Sequence, residues 1–332
     1  MPTAQPNLRS QVVGRLRALL GDPIPAQELG RFFDHLSTLL SSGMSIPEAL
    51  GRAALTVGPE LQAICAEIAG PVAAGVPLSR ALAPWKRRLP EIVLAVLEVG
   101  EASGTLDAAA RRLAHTFDRF ASIERRIRYS AFEPRLIIVI ITLDVVAHGF
   151  APTFPALLQQ ALVTLLQLTC LYLAGRLIVR LAFQWEPLRY VVDTLKLAVP
   201  QIGPVLRNLA AARWARSFAT LWHSGVPIST ALEISSRSAL NACYERALRK
   251  AAVRTQWGES LSASLAETQL LPPYLLNIIA TGETSGNLGS SLEQFTSVLE
   301  EQALALATQQ FASLVIAGEV IGAVLALNFV FH

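Results

Sequence analysis

The sequence predicts an all-α protein made of two tandem cytoplasmic helical bundles and three transmembrane helices. Two motifs recur at one fixed offset: Ser42-Gly43 with Ile46, Ala49 and Leu50 returns 182 residues later as Ser224-Gly225 with Ile228, Ala231 and Leu232. Gly100-Glu101-x-Ser103-Gly104-x-Leu106 returns at the same spacing as Gly282-Glu283-x-Ser285-Gly286-x-Leu288. A period this long marks a duplicated domain, since solenoid repeats run to about 20–50 residues. In both copies the apolar residues keep helical spacing, and no run of alternating β-branched residues bounded by turns interrupts them. Charge is also scarce: 52% of residues are hydrophobic and 16% charged, whereas soluble domains carry about 25% charge.

Residues 1–27 form a short polar, Pro-punctuated segment without the sustained apolar stretch of a signal peptide. The first copy (28–130) opens with Leu29, Phe32, Phe33, Leu36, Leu39 and Leu40 on one helical stripe, which Ser42-Gly43 ends. Ser45-x-x-Glu48 then reads as a capping box that restarts a helix, so the pair forms a helix hairpin. Leu89-Pro90 and Leu271-Pro272 keep the 182-residue offset, while Gly75-x-x-Leu78-Ser79 matches Gly258-x-x-Leu261-Ser262 with a one-residue slip. Gly104 and Gly286 suit the left-handed conformation that ends a helix, and Thr105 and Asn287 are N-cap formers for the next. Leu106, Leu113, Phe117 and Phe120 make the following helix amphipathic. In the second copy (210–305), Trp214, Phe218 and Leu221 repeat the first stripe, Gly225 breaks it, and Pro227 suits the next first turn. Leu288, Leu292, Phe295 and Leu299 form the closing stripe. Each closing helix leads toward a membrane span, an arrangement that transmits force without a flexible joint.

Residues 131–183 hold two predicted spans and their connector. Pro134 to Phe150 is interrupted by Asp144 and His148, and Ala156 to Gly175 is uncharged. Residues 184–209, with Pro187, Pro200, Gly203 and Pro204, form a linker, and 306–332 is the third span. From Gln302 to Phe331 the only ionisable side chain is Glu319, and a crossing needs about 20 apolar residues. Arg125, Arg126 and Arg128 precede the first span and Arg176, Arg180 and Arg189 follow the second. The connector Gly149 to Gln160 has neither Arg nor Lys. The positive-inside rule then places the N-terminus and both repeats in the cytoplasm and the C-terminus outside.

No sequence constellation supports catalysis. There is no phosphate-binding loop, no H-E-x-x-H and no nucleophile elbow. Cys65, Cys170 and Cys243 are scattered, which suits buried thiols better than a metal or redox site. No catalytic residue, cofactor or metal is expected. Arg125, Arg126 and Arg128 lack interleaved aromatics and read as topogenic, so no nucleic acid is expected; Arg246, Arg249, Lys250 and Arg254 read as a solvated helix face.

The candidate residues are therefore Gly100, Glu101, Ser103 and Gly104 with their counterparts Gly282, Glu283, Ser285 and Gly286. Each Glu either satisfies donors at a crowded helix turn or docks a partner at an exposed hairpin tip. Ser42, Gly43, Ser224 and Gly225 form the hairpin turns. Asp144 and His148 share a helix face, and Glu319 lies beside Gly318 and Gly322 on a small-residue face. These three intramembrane groups also admit a small polytopic transporter or channel component. Transporters duplicate their membrane halves, however, and here the spans are not duplicated.

Together these motifs, with Pro200-x-Ile202-Gly203, Arg213-Trp214-Ala215-Arg216-Ser217-Phe218 and Ser224-Gly225-Val226-Pro227, resemble the type II secretion system F family over about Glu28 to Phe331. These are inner-membrane platform proteins of type II secretion and type IV pili. The resemblance implies six-helix-type cytoplasmic bundles, no enzymatic activity and self-association, commonly as a homodimer. It implies as partners a cytoplasmic hexameric ATPase, pilin or pseudopilin subunits, and other inner-membrane assembly components. Two features depart from the family: the segment before copy one is shorter than in many members, and the first span is more polar.

Overall fold

A computed structural model of the chain describes residues 24–131, 163, 186–198 and 203–331, with side chains described over 24–126, 163, 190–198 and 203–309. The described residues are helical, without strands, as the periodicity predicts. In chain order the α-helices are α1 (Ala26–Ser41), α2 (Ile46–Ala54), α3 (Pro59–Ala73), α4 (Leu78–Leu82), α5 (Glu91–Ala102), α6 (Leu106–Ala131), α7 (Glu186–Ala198), α8 (Gly203–His223), α9 (Ile228–Ser236), α10 (Ala242–Gln256), α11 (Leu261–Ala266), α12 (Pro273–Ser285) and α13 (Leu288–Phe331). The succession α1 to α6 thus recurs as α8 to α13.

The repeat extends to the punctuation. Among the described residues, the six glycines with positive φ are Gly43, Gly75 and Gly104 in the first succession and Gly225, Gly258 and Gly286 in the second. Ser45 departs from its predicted role: its side chain makes no capping bond, and Glu48 instead pairs with Arg52 at 2.8 Å. An i,i+4 partner on the same helix face draws that carboxylate forward, away from the backbone N–H of Ser45.

One compact unit comprises the described residues to Glu124, with Leu209–Leu240 and Tyr244–Glu300. Its core holds Phe33, Phe117, Trp214 and Phe218, all buried. Phe33 stacks on Phe117 at 6.1 Å, and Trp214 on Phe218 at 5.8 Å. Within this unit α6 covers α8, with the hydroxyls of Thr116 and Thr220 2.9 Å apart in the buried seam. Arg213 faces Glu124 at 3.8 Å, and Arg237 pairs with Glu91. Burial lowers the pKa of Arg213 against the opposing pull of Glu124.

This seam explains a difference in composition. α1 exposes Arg31, Asp34, His35 and Thr38 on one side, whereas α8 buries Ala210, Ala211, Ala212, Trp214, Ala215 and Phe218 around its circumference. A helix covered on two faces has no solvent side to carry polar residues.

The second unit comprises the described residues from Arg125 to Asn208, Asn241–Cys243 and those from Glu301 onward. Here the predicted linker carries α7. Pro187 and Pro204 do not break α7 and α8 because each lies in a first turn, where a missing N–H costs nothing. Asp193 is buried and accepts a 3.0 Å bond from the backbone N–H of Ala242, while Lys196 lies 3.2 Å away on its other oxygen. At Gly203 a Cβ would stand 2.4 Å from the carbonyl oxygen of Leu197, so the turn from α7 into α8 requires glycine.

Among the described residues no helix is long and apolar enough to cross a membrane. The predicted spans in 131–183 lie outside those residues apart from Ala131 and Val163, so Asp144 and His148 fall outside them too. The third predicted span runs along the end of α13, which continues unbroken for 44 residues, about 66 Å at 1.5 Å per residue. Glu319 lies on this helix beyond the described side chains.

Cys65 and Cys243 are free and buried, and Cys170 lies outside the described residues. Burial pushes the Cys65 thiol up to about 12, so little nucleophilic thiolate exists near neutrality. In a Cys170→Ser/Cys243→Ser background, Cys65 should resist a thiol reagent at pH 8 until the protein is denatured. Fast labelling of the folded protein would contradict this burial.

Candidate functional site: a carboxylate cap made twice

Helix α4 is five residues long and follows Pro77, whose side chain offers no capping acceptor. Its first backbone N–H groups need partners from elsewhere. Glu101, on α5, supplies them. Its carboxylate accepts from the N–H of Leu78, from the N–H of Ser79 at 3.1 Å and from the Ser79 hydroxyl. The second copy repeats the arrangement: Glu283 accepts from Leu261 N–H at 2.7 Å, Ser262 N–H at 3.1 Å and Ser262 Oγ at 2.9 Å. A negative group at a helix N-terminus also opposes the positive end of the helix dipole.

The remaining motif residues serve the turn that holds this Glu. A Cβ on Gly100 would stand 2.5 Å from Ala109 Cβ, and one on Gly282 would stand 3.0 Å from Leu288 Cα. The first glycine therefore permits close contact with the next helix. Ser103 Oγ donates to the Val99 carbonyl at 2.8 Å, and Ser285 Oγ lies 3.4 Å from that of Gly282. Gly104 and Gly286 have φ of +69° and +71°. Thr105 N–H reaches Gly100 O at 2.8 Å and Gly104 N–H reaches Glu101 O at 3.2 Å, the paired bonds of a Schellman end. Leu106 and Leu288 then enter the core. Asn287 accepts a 2.6 Å bond from the Ser290 hydroxyl, while Thr105 Oγ1 lies 2.7 Å from Ser103 Oγ.

Ser42-Gly43 and Ser224-Gly225 make the same type of helix end. Gly43 N–H meets Leu40 O at 2.9 Å with Met44 N–H on Leu39 O, and Gly225 N–H meets Trp222 O at 2.9 Å with Val226 N–H on Leu221 O. These hairpin turns are separate from the Glu caps. A shallow cleft of about 540 Å³ beside Glu101 is lined by Ser79, Arg80 and Glu98, among others.

Gly104→Val and Gly286→Val should each cost several kcal/mol, because left-handed backbone is strained for any L side chain and most for a β-branched one. Thermal unfolding of the purified variants checks this. A shift of under about 2 °C, below what 1 kcal/mol produces in a domain of this size, would contradict it.

Sequence reasoning missed three features. The link from Glu101 to Leu78-Ser79 and from Glu283 to Leu261-Ser262 was visible only as two separate recurring motifs. Asp193 gave no signal. The third is the ion pair of Arg216 and Glu300, 2.6 Å apart with both side chains 8% exposed.

The described residues form a capped, duplicated array of short helices closed by longer ones, a helical scaffold. The model of the family described as type II secretion system (T2SS), protein F, matches residues 32–147 and again 214–331. The chain belongs to this family. It is 28% identical to the type IV pilus assembly protein PilC of Thermus thermophilus, over 98% of this chain and 86% of that protein. It is also 28% identical to the type 4 fimbrial assembly protein PilC of Pseudomonas putida, over 85% of this chain and 76% of that one. Type II secretion system protein F of Vibrio cholerae is 26% identical, over 81% and 71% respectively.

Proposed function

We propose that this chain is an inner-membrane platform protein of a type II secretion or type IV pilus machine. In this reading it couples a cytoplasmic hexameric ATPase to the insertion or extraction of pilin or pseudopilin subunits, and performs no catalysis itself. The observation that carries the proposal is the double match of the family model to both halves of the duplication. Relatives named as secretion and as pilus-assembly proteins support the two alternatives for the machine. The proposed domains are repeats at 28–130 and 210–305, spans within 131–183 and 306–332, and a linker at 184–209. The protein is proposed to self-associate, commonly as a dimer, and to meet other inner-membrane assembly components.

Within this reading the Glu101 and Glu283 motifs are structural. Both oxygens of each carboxylate are engaged by α4 or α11, which supports a role in shaping the bundle over one in seizing a partner.

Two experiments test the function. Alkaline phosphatase fused after His332 should be active and fused after Asn241 inactive; the reverse pattern would overturn the orientation. The purified protein should bind its cognate assembly ATPase without hydrolysing ATP. Turnover by the purified protein that disappears on a point substitution in this chain would overturn the partner-driven reading.

A further inference from the structure

A cleft of about 410 Å³ opens within the first compact unit, where α6 meets α8 and α13. Its lining includes the buried Thr116, Thr220 and Thr296. Into the same space come Arg111 and Arg112 from α6 and Arg216 from α8. Asp107 and Glu293 also line it, and Glu293 is 63% exposed and 3.6 Å from His223.

The three arginines differ in how they are satisfied. Arg216 has Glu300 at 2.6 Å. Arg112 has a fully buried Nε with no hydrogen-bond partner, and its side chain makes no ion pair among the described residues. Elsewhere in the unit Arg52, Arg88, Arg213, Arg237 and Arg254 each meet a carboxylate. A buried N–H donor left unpaired costs about 1–3 kcal/mol, and among the described residues no carboxylate supplies this half-buried guanidinium with a partner. The threonine hydroxyls do not provide it. Thr116, Thr220 and Thr296 bond the carbonyls of Arg112, Arg216 and Leu292, each four residues back.

We propose that this cleft is a binding site for a small oxyanion-bearing molecule, whose phosphate or carboxylate group is held by Arg112 with help from Arg111. The planar guanidinium matches both groups through paired N–H donors. The volume exceeds what an inorganic anion fills and falls in the range of small-molecule sites, which leaves room for an organic body against the threonines. Because its walls come from both copies of the duplication, the bound anion joins α6 to α8 and α13. Occupancy therefore stabilises the seam between the copies.

The test uses the full-length chain in detergent, titrated with pyrophosphate and separately with citrate at constant ionic strength set by sodium chloride. One of the two should bind once per chain with a Kd of about 1 mM or tighter and raise the Tm. The pyrophosphate and citrate arms distinguish a phosphate from a carboxylate ligand. Arg112→Gln should weaken binding at least ~10-fold, Arg112→Lys should weaken it less, and the remote Arg80→Gln should leave it unchanged. Without ligand, Arg112→Gln should unfold at the same temperature as the parent protein or higher, since the half-buried side chain makes no ion pair whose loss would destabilise the fold. Failure of both anions to bind by 10 mM, equal losses in Arg112→Gln and Arg80→Gln, or a fall in the ligand-free Tm of Arg112→Gln would each overturn the proposal.

Discussion

Replacing Arg216 by methionine should destabilise the protein by about 3–5 kcal/mol, the range for removing one partner of a buried ion pair. Arg216 and Glu300 are each 8% exposed and 2.6 Å apart, so the substitution leaves a largely buried carboxylate without the cation that pairs with it. The double variant Arg216→Met/Glu300→Met should recover most of the loss, because two apolar side chains fill the space without an unpaired charge. Thermal unfolding of the two single variants and the double variant measures the coupling. A double variant as unstable as the sum of the singles would show that the pair is not coupled. At the equivalent positions of copy one, 182 residues earlier, stand Asp34 and Asp118. Both are exposed. Two acids are tolerated there because solvent screens them.

Glu101→Ala and Glu283→Ala should each cost about 2–4 kcal/mol, since each removes a charged acceptor from two backbone N–H groups and a serine hydroxyl. The Gln variants should lie between these and the parent protein, because an amide oxygen still accepts while its NH2 group opposes the second donor. Membrane abundance and pilus assembly or secretion, measured on the same cells, should fall in proportion. Full abundance with lost assembly would instead identify the carboxylates as docking groups, and normal abundance with normal assembly would show that the caps matter little.

These expectations indicate which parts of the fold could be read from sequence. The helix ends at Gly43, Gly104, Gly225 and Gly286 were legible because a left-handed residue leaves a local compositional signature. The helical class followed from the stripes through Phe32, Phe33 and Leu36 and through Trp214 and Phe218. The partner of Glu101 was not legible, because its bonds cross 22 and 23 residues and nothing local to α4 reports the missing cap. Ser45 and Glu48 misled for a related reason: a local pattern permits a capping box, but the competing Arg52 sits one helical turn away. Arg112 resembles any surface arginine in sequence. Only the packing of α6 on α8 shows that its Nε is enclosed.

The double shelter of α8 also sets an order of opening. Amide protons leave a folded chain through local fluctuations, and a helix that must shed two packed faces at once opens only when most of the unit does. The amides of α8 around Trp214 and Phe218 should therefore be the slowest to exchange with deuterium, and those of α1, with one side in water, should exchange sooner. Two helices descended from one ancestral segment have thus become unequal in tolerance. Drift is permitted along the wet side of α1 at Arg31, His35 and Thr38, while the matching positions of α8 have no side on which a change goes unnoticed.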